Sequence, residues 1–123
     1  MFYSYAVLSH LVGPKGRVYS VELVSELVEL AKVNLNKAGI VNVAVVNGDG
    51  NLGYSEKAPY DRIIVTAGAN KIPKELLCQL KRGGVMVIPV TVGGSQVMKK
   101  IVKEDSLNIT EHGHFRFVPL IEK

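Results

Sequence analysis

The chain is 123 residues long, with 47% hydrophobic and 21% charged residues and a formal net charge of +4 at pH 7. That length suits one domain with a buried core but is short for a complete doubly wound nucleotide-binding fold, and the composition is ordinary for a soluble globular protein. The longest apolar runs, such as Ile63–Val65 and Val85–Ile88, are strand-length and exclude a membrane-spanning helix. The basic residues are scattered, with no basic arm or aromatic-basic platform, which argues against nucleic acid as a partner.

Ala6, Val7, Leu8, Leu11 and Val12 fit the apolar face of a short helix that Gly13–Gly16 ends. Met1–Tyr5 before it lacks a basic n-region, so no signal peptide is expected. Arg17 to Leu23 is a predicted strand. Ser25 is the expected N-cap of a helix whose apolar positions Leu27, Val28, Leu30, Ala31, Leu35 and Ala38 recur at helical spacing, with Gly39 as its stop. Val43 to Asn47 is a second strand. Tyr60 to Thr66 is a third, apolar enough to suggest cover on both faces.

Ile72-Pro73 opens a helix carrying Leu76, Leu77 and Leu80, stopped by Gly83-Gly84, and Val85 to Val90 is a further buried strand. Cys78, the single cysteine, excludes an internal disulfide framework and a cysteine-based zinc cluster. Among those leucines it reads as a buried structural thiol, and the cytoplasm is the expected address. After Gly93-Gly94, Gln96–Glu104 and Leu107–Leu120 read as an antiparallel pair turning at Asp105-Ser106. The pattern is α/β, with parallel units followed by an antiparallel edge.

In such a sheet, ligands bind outside the carboxyl ends of the strands. Glu22 closes the first strand and Asp49-Gly50 follows the second, so two carboxylates face one crevice. Glu22 is placed to accept hydrogen bonds from vicinal ribose hydroxyls, and Asp49 from an adenine amino group. Gly50 would let the backbone approach the ring. Each has a plainer alternative. Glu22 could cap the following helix, and Gly48-Asp49-Gly50 could be an ordinary turn. The small residues Thr66-Ala67-Gly68-Ala69 either make room for a ligand over the third strand end or form a tight turn. Asp61, at the other end of that strand, reads as structural. His10, His112 and His114 lack metal-ligand spacing, so no metal is expected.

Taken in order, these pieces resemble the S-adenosylmethionine-dependent methyltransferases, and within them the protein-L-isoaspartate O-methyltransferase family. The resemblance is carried by Val18–Glu22, Glu26–Glu29, Asn42-Val43, Gly48-Asp49-Gly50 with Leu52-Gly53-Tyr54, Ala58–Asp61 and Ile63–Ala67. It continues through Ile72-Pro73, Leu80 with Gly83-Gly84, Val87–Val90 and Phe117–Leu120. It implies that Glu22 binds the ribose and that Asp49 and the Gly50 backbone bind the adenine of S-adenosylmethionine. Thr66 and Ala67 would then lie beside its methionine portion and the incoming peptide. The implied reaction methylates the carboxylate of isoaspartyl residues in damaged proteins or peptides, largely by alignment, and no catalytic side chain is singled out.

The resemblance also implies a departure. The family's first strand and its Gly-x-Gly-x-Gly-Tyr turn have no counterpart before Tyr3, and Phe2 falls where the last glycine belongs. The expected fold is a Rossmann-like class I methyltransferase sheet lacking its first strand and Gly-rich loop, a single truncated domain over residues 1–123. The missing strand belongs between Arg17–Leu23 and Tyr60–Thr66, leaving two apolar edges. A homo-oligomer or a complementing chain is therefore expected, and weak or no activity from this chain alone. A non-catalytic remnant or assembly subunit of the same fold is the alternative.

Overall fold

The computed structural model describes residues 8–115. Residues 8–12 are helical. They precede β1 (Val18–Glu22), α1 (Ser25–Lys37), β2 (Val43–Asn47), short 3-10 turns at Gly50–Leu52 and Ser55–Lys57, and β3 (Tyr60–Ile64). Then come α2 (Lys74–Gln79), β4 (Leu80–Val92), β5 (Ser95–Lys103) and β6 (Leu107–Phe115). The element order is the one the sequence predicts. Phe2, Tyr3, Ala6, Val7 and the Phe117–Leu120 element lie outside the described residues. The strands form two sheets, β1-β2 and β3-β4-β5-β6, and the chain divides into two compact units after Gly50. Among the described residues, no helix is long and apolar enough to cross a membrane.

In the first unit β1 and β2 run parallel, with Val18 opposite Val43 and Glu22 opposite Asn47. Val28, Ala31 and Leu35 of α1 bury against Val45, and Ile40 and Val43 complete that cluster. The helix stops where predicted. Gly39 takes φ +71°, its N–H donates to Asn36 O at 3.1 Å, and Ile40 N–H reaches Leu35 O at 3.0 Å, a left-handed terminator with its apolar contact. The start differs from expectation, since Val24 rather than Ser25 is the N-cap. Glu22 Oε1 accepts the Val24 N–H at 3.2 Å and Val24 O accepts from Leu27 and Val28, so the turn begins one residue early without a hydroxyl cap. Leu27 and Leu30, predicted on the buried face, are 48% and 56% exposed. Asn42 secures the stretch before β1. Its Nδ2 donates to Ser9 O and Gly13 O, each at 3.1 Å, and its Oδ1 accepts from the Ser9 hydroxyl.

In the second unit β3 and β4 are parallel, while β4-β5 and β5-β6 are antiparallel, which is the antiparallel edge expected. Gly93 and Gly94, at φ +53° and +84°, make the two-residue turn between paired Val92 and Ser95. The core holds Leu76, Leu80, Met86, Ile88, Val90 and Ile101. Burial of such side chains stabilises by roughly 1.5–3 kcal/mol each.

Three local expectations are corrected here. The third strand is not covered on both faces. Ile63 and Val65 pack on the core, while Arg62 and Ile64 alternate onto an exposed face. α2 ends at Gln79, ahead of Gly83-Gly84, because Lys103 Nζ donates to Leu77 O at 2.8 Å and Leu80 O at 2.9 Å and satisfies carbonyls at the helix end. The chain goes straight into β4, where Tyr60 pairs with Leu80 and Arg62 with Val85, and the glycines sit in the irregularity between. Cys78 is exposed. Leu76 and Leu80, four residues apart, take the buried side, and the residue midway between them faces away.

Candidate functional site

Parallel pairing with Glu22 opposite Asn47 puts the carboxyl ends of β1 and β2 level. Gly48 N–H donates to Glu22 O at 2.9 Å, carrying the pairing one step past the strands, and Asp49-Gly50 follows at once. The two acids that the sequence singles out are thus brought to the same sheet end. Asn47 fastens them. Its Nδ2 donates to Glu22 O at 3.1 Å and to Leu23 O at 3.0 Å, tying the end of β2 to the exit of β1.

Glu22, Asp49 and Gly50 are all half-buried. Glu22 Oε1 accepts the Val24 N–H, so the carboxylate does serve the helix entry, as the plainer reading holds. The carboxylate has a second oxygen, Oε2, as a further acceptor.

Thr66 and Ala67 belong to the second unit. Val65 N–H donates to Val87 O at 3.0 Å and Ala69 N–H to Pro89 O at 3.0 Å. From Val65 to Ala69 the chain takes four steps where β4 takes two, so Thr66-Ala67-Gly68 arches out of the sheet between anchored points. Thr91 N–H closes the arch on Ala69 O at 2.8 Å. Thr66 is exposed, Ala67 half-buried and Gly68 buried. This is the strand-end position that ligands use in parallel sheets.

Sequence reasoning missed three side-chain amides. Asn47 is the first, and its signal was an asparagine directly before Gly-Asp-Gly, a residue type that bonds nearby backbone. Gln79 is the second. Its Oε1 accepts from Tyr54 N–H at 3.0 Å and its Nε2 donates to Leu52 O at 2.9 Å, clamping the Leu52-Gly53-Tyr54 turn onto α2. Gly53 adopts φ +62°, and a Cβ there would lie 2.2 Å from Gln79 Oε1. The third is Gln96, the buried polar residue of the described chain. Surface depressions in the two units lie elsewhere, one bordered by Lys32, Leu35 and Val43, the other by Leu77, Cys78 and Lys103. Neither includes Glu22, Asp49, Thr66 or Ala67.

The family model described as Protein-L-isoaspartate(D-aspartate) O-methyltransferase (PCMT) matches residues 2–123. The chain belongs to this family. Among its curated relatives, the protein-L-isoaspartate O-methyltransferase of Methanothrix thermoacetophila is 50% identical over 121 residues, which is 98% of this chain and 57% of the relative. That of Pyrococcus horikoshii is 51% identical over 122 residues, 94% of this chain and 53% of the relative. The chain spans just over half the length of these curated relatives.

A solved structure named protein-L-isoaspartate O-methyltransferase matches at TM-score 0.92 and 37% identity, over 98% of this chain and 39% of that one. A structure from Plasmodium falciparum, in complex with S-adenosyl-L-homocysteine, matches at TM-score 0.77 and 23% identity, over 87% of this chain and 53% of that one. The PCMT likeness establishes the α/β arrangement with its antiparallel edge as the Rossmann-like methyltransferase fold. Among the described residues, β1, β2, β3 and β6 each pair on one side only.

Proposed function

We propose that this chain binds S-adenosylmethionine and supplies donor-binding residues for a protein carboxyl methyltransferase acting on isoaspartyl residues of damaged proteins. The observation that carries the reading is the level end of β1 and β2, with Glu22 opposite Asn47 and Asp49-Gly50 directly after. Family membership supports it. When bound, S-adenosylmethionine supplies a methyl group activated by its sulfonium, which a carboxylate oxygen accepts to give a methyl ester.

The residues fit this donor. Glu22 Oε2 accepts from the ribose hydroxyls while Oε1 stays with Val24. Asp49 accepts from the adenine amino group and the Gly50 backbone lies along the ring. Thr66 and Ala67 meet the methionine portion and the peptide. Because donor and nucleophile are both already reactive, the protein contributes alignment rather than a general base. The setting we propose is the cytoplasm, and the partner in catalysis is a second copy or a complementing chain, a reading supported by the open edges of β1 and β3. An assembly subunit without activity of its own is the second reading, and those same edges favour it.

Calorimetric titration with S-adenosylmethionine tests the first reading. Saturable binding that is lost in Glu22→Ala is the expected result, followed by transfer of labelled methyl to an isoaspartyl peptide but not to its aspartyl counterpart or to RNA. Absence of binding in the unsubstituted chain overturns it and leaves the assembly reading.

A further inference from the structure

Gln96 is buried, at 9% exposure, near the start of β5 and next to buried Val97. Holding a long amide in one rotamer costs side-chain freedom, and burying it without partners would cost more. Among the described residues no buried side-chain nitrogen or oxygen lacks a hydrogen-bond partner, so the amide is satisfied where it sits. Its position is specific. Gln96 pairs with Thr91 across the β4-β5 hairpin, and Thr91 N–H in turn bonds Ala69 O at 2.8 Å. The backbone of the arch, the end of β4 and the start of β5 therefore lie side by side.

The glutamine side chain reaches back along this row to the arch. A Cβ built on Gly68 would lie 1.9 Å from Gln96 Nε2, 2.7 Å from Cδ and 3.2 Å from Oε1. The end of the amide thus lies against the α-carbon of Gly68, and a side chain there would have to displace it. The arch meanwhile is anchored by backbone bonds at Val65 and Ala69, with the three residues between them outside the ladder. Something must set their course, and Gln96 is the side chain in contact at the third.

We propose that Gln96 is a positioning residue of the candidate site. Its amide fixes the height of the Thr66-Ala67-Gly68 arch above the end of β3, and so the placement of Thr66 and Ala67 towards the bound molecule. The arch geometry stands by itself, while its consequence for methyl transfer rests on the function proposed above.

Two measurements on the full chain separate these parts. Amide hydrogen exchange reads the positioning. In Gln96→Ala, the Ala69 and Thr91 amides are expected to exchange at least tenfold faster, while Met86 and Ile101, paired deeper in the same ladder, change less than twofold. Gln96→Glu, which keeps the length but replaces the Nε2 donor by an oxygen, should loosen the same two amides. Gly68→Ala, which puts a methyl group where Nε2 lies, should do so too. No selective change at Ala69 and Thr91, or a uniform loss of protection across the sheet, overturns the proposal. Calorimetry with S-adenosylmethionine reads the site. Weakening of at least fivefold in Gln96→Glu is expected, and unchanged affinity with a loosened arch would overturn the placement towards the ligand. If the unsubstituted chain binds nothing, the proposed function falls, and exchange still decides the role of Gln96 in shaping the arch.

Discussion

In the proposed reading Glu22 carries two jobs, the observed bond to Val24 N–H and the ribose contact, and substitutions can separate them. Glu22→Gln keeps an oxygen that can accept the Val24 N–H, so the unfolding free energy should change by less than about 0.5 kcal/mol. The same change removes the charge and puts a donor where ribose hydroxyls need an acceptor. Affinity for S-adenosylmethionine should then fall about tenfold, near 1.4 kcal/mol. Equal losses of stability and binding would mean that the helix entry is its whole role. Asn47→Ala removes the bonds to Glu22 O and Leu23 O. Both lie near the surface, so the expected loss is about 1 kcal/mol in urea unfolding, with weaker binding because Glu22 loses one of its ties to β2. The acids themselves were legible in the sequence, since a strand pattern ending in a carboxylate is a local signal. Asn47 was not, because its partners belong to the other strand and are assigned only by register.

At the scale of elements, the turn and helix stops were legible where backbone conformation demanded glycine, as at Gly39 and the Gly93-Gly94 hairpin. α2 escaped the same logic. Its end is decided by an ammonium arriving from β5, and Lys103→Met should expose that dependence. With Leu77 O and Leu80 O deprived of a charged donor, we expect a loss of about 2 kcal/mol, read as a shift in denaturant midpoint without change in slope. The turn after Asp49-Gly50 depends on α2 in a parallel way through Gln79. Gln79→Ala should leave Leu52–Tyr54 open to limited proteolysis, with cleavage between Leu52 and Lys57 at least several-fold faster than in the unsubstituted chain. Unchanged cleavage would mean that the short 3-10 turns hold this segment unaided. Burial of Cys78 and of Leu27 and Leu30 was misread for one reason. Apolar composition says that a residue can be buried, but the helix has one side against its sheet and cannot bury all of its apolar positions.

For the whole molecule, the consequential feature is that β1, β2, β3 and β6 are each hydrogen-bonded on one side only among the described residues. Open strand edges are templates for pairing with another chain, and Ile64 on β3 is 55% exposed. We expect sedimentation at micromolar concentration to show a dimer or larger species, and a clean monomer would refute the association. The sequence by itself determined the order of helices and strands, the antiparallel edge, the family and the residues at the strand ends. Each of these depends on periodicity, turn chemistry or short motifs, which act within a few residues of chain. Only the tertiary structure decided which polar side chains fasten one element to another. Asn47, Gln79, Gln96 and Lys103 each bond or press against backbone from another element. A polar side chain in the sequence does not name its distant partner. That partner exists only once register and burial have placed the two together, where leaving either unpaired would carry a desolvation penalty.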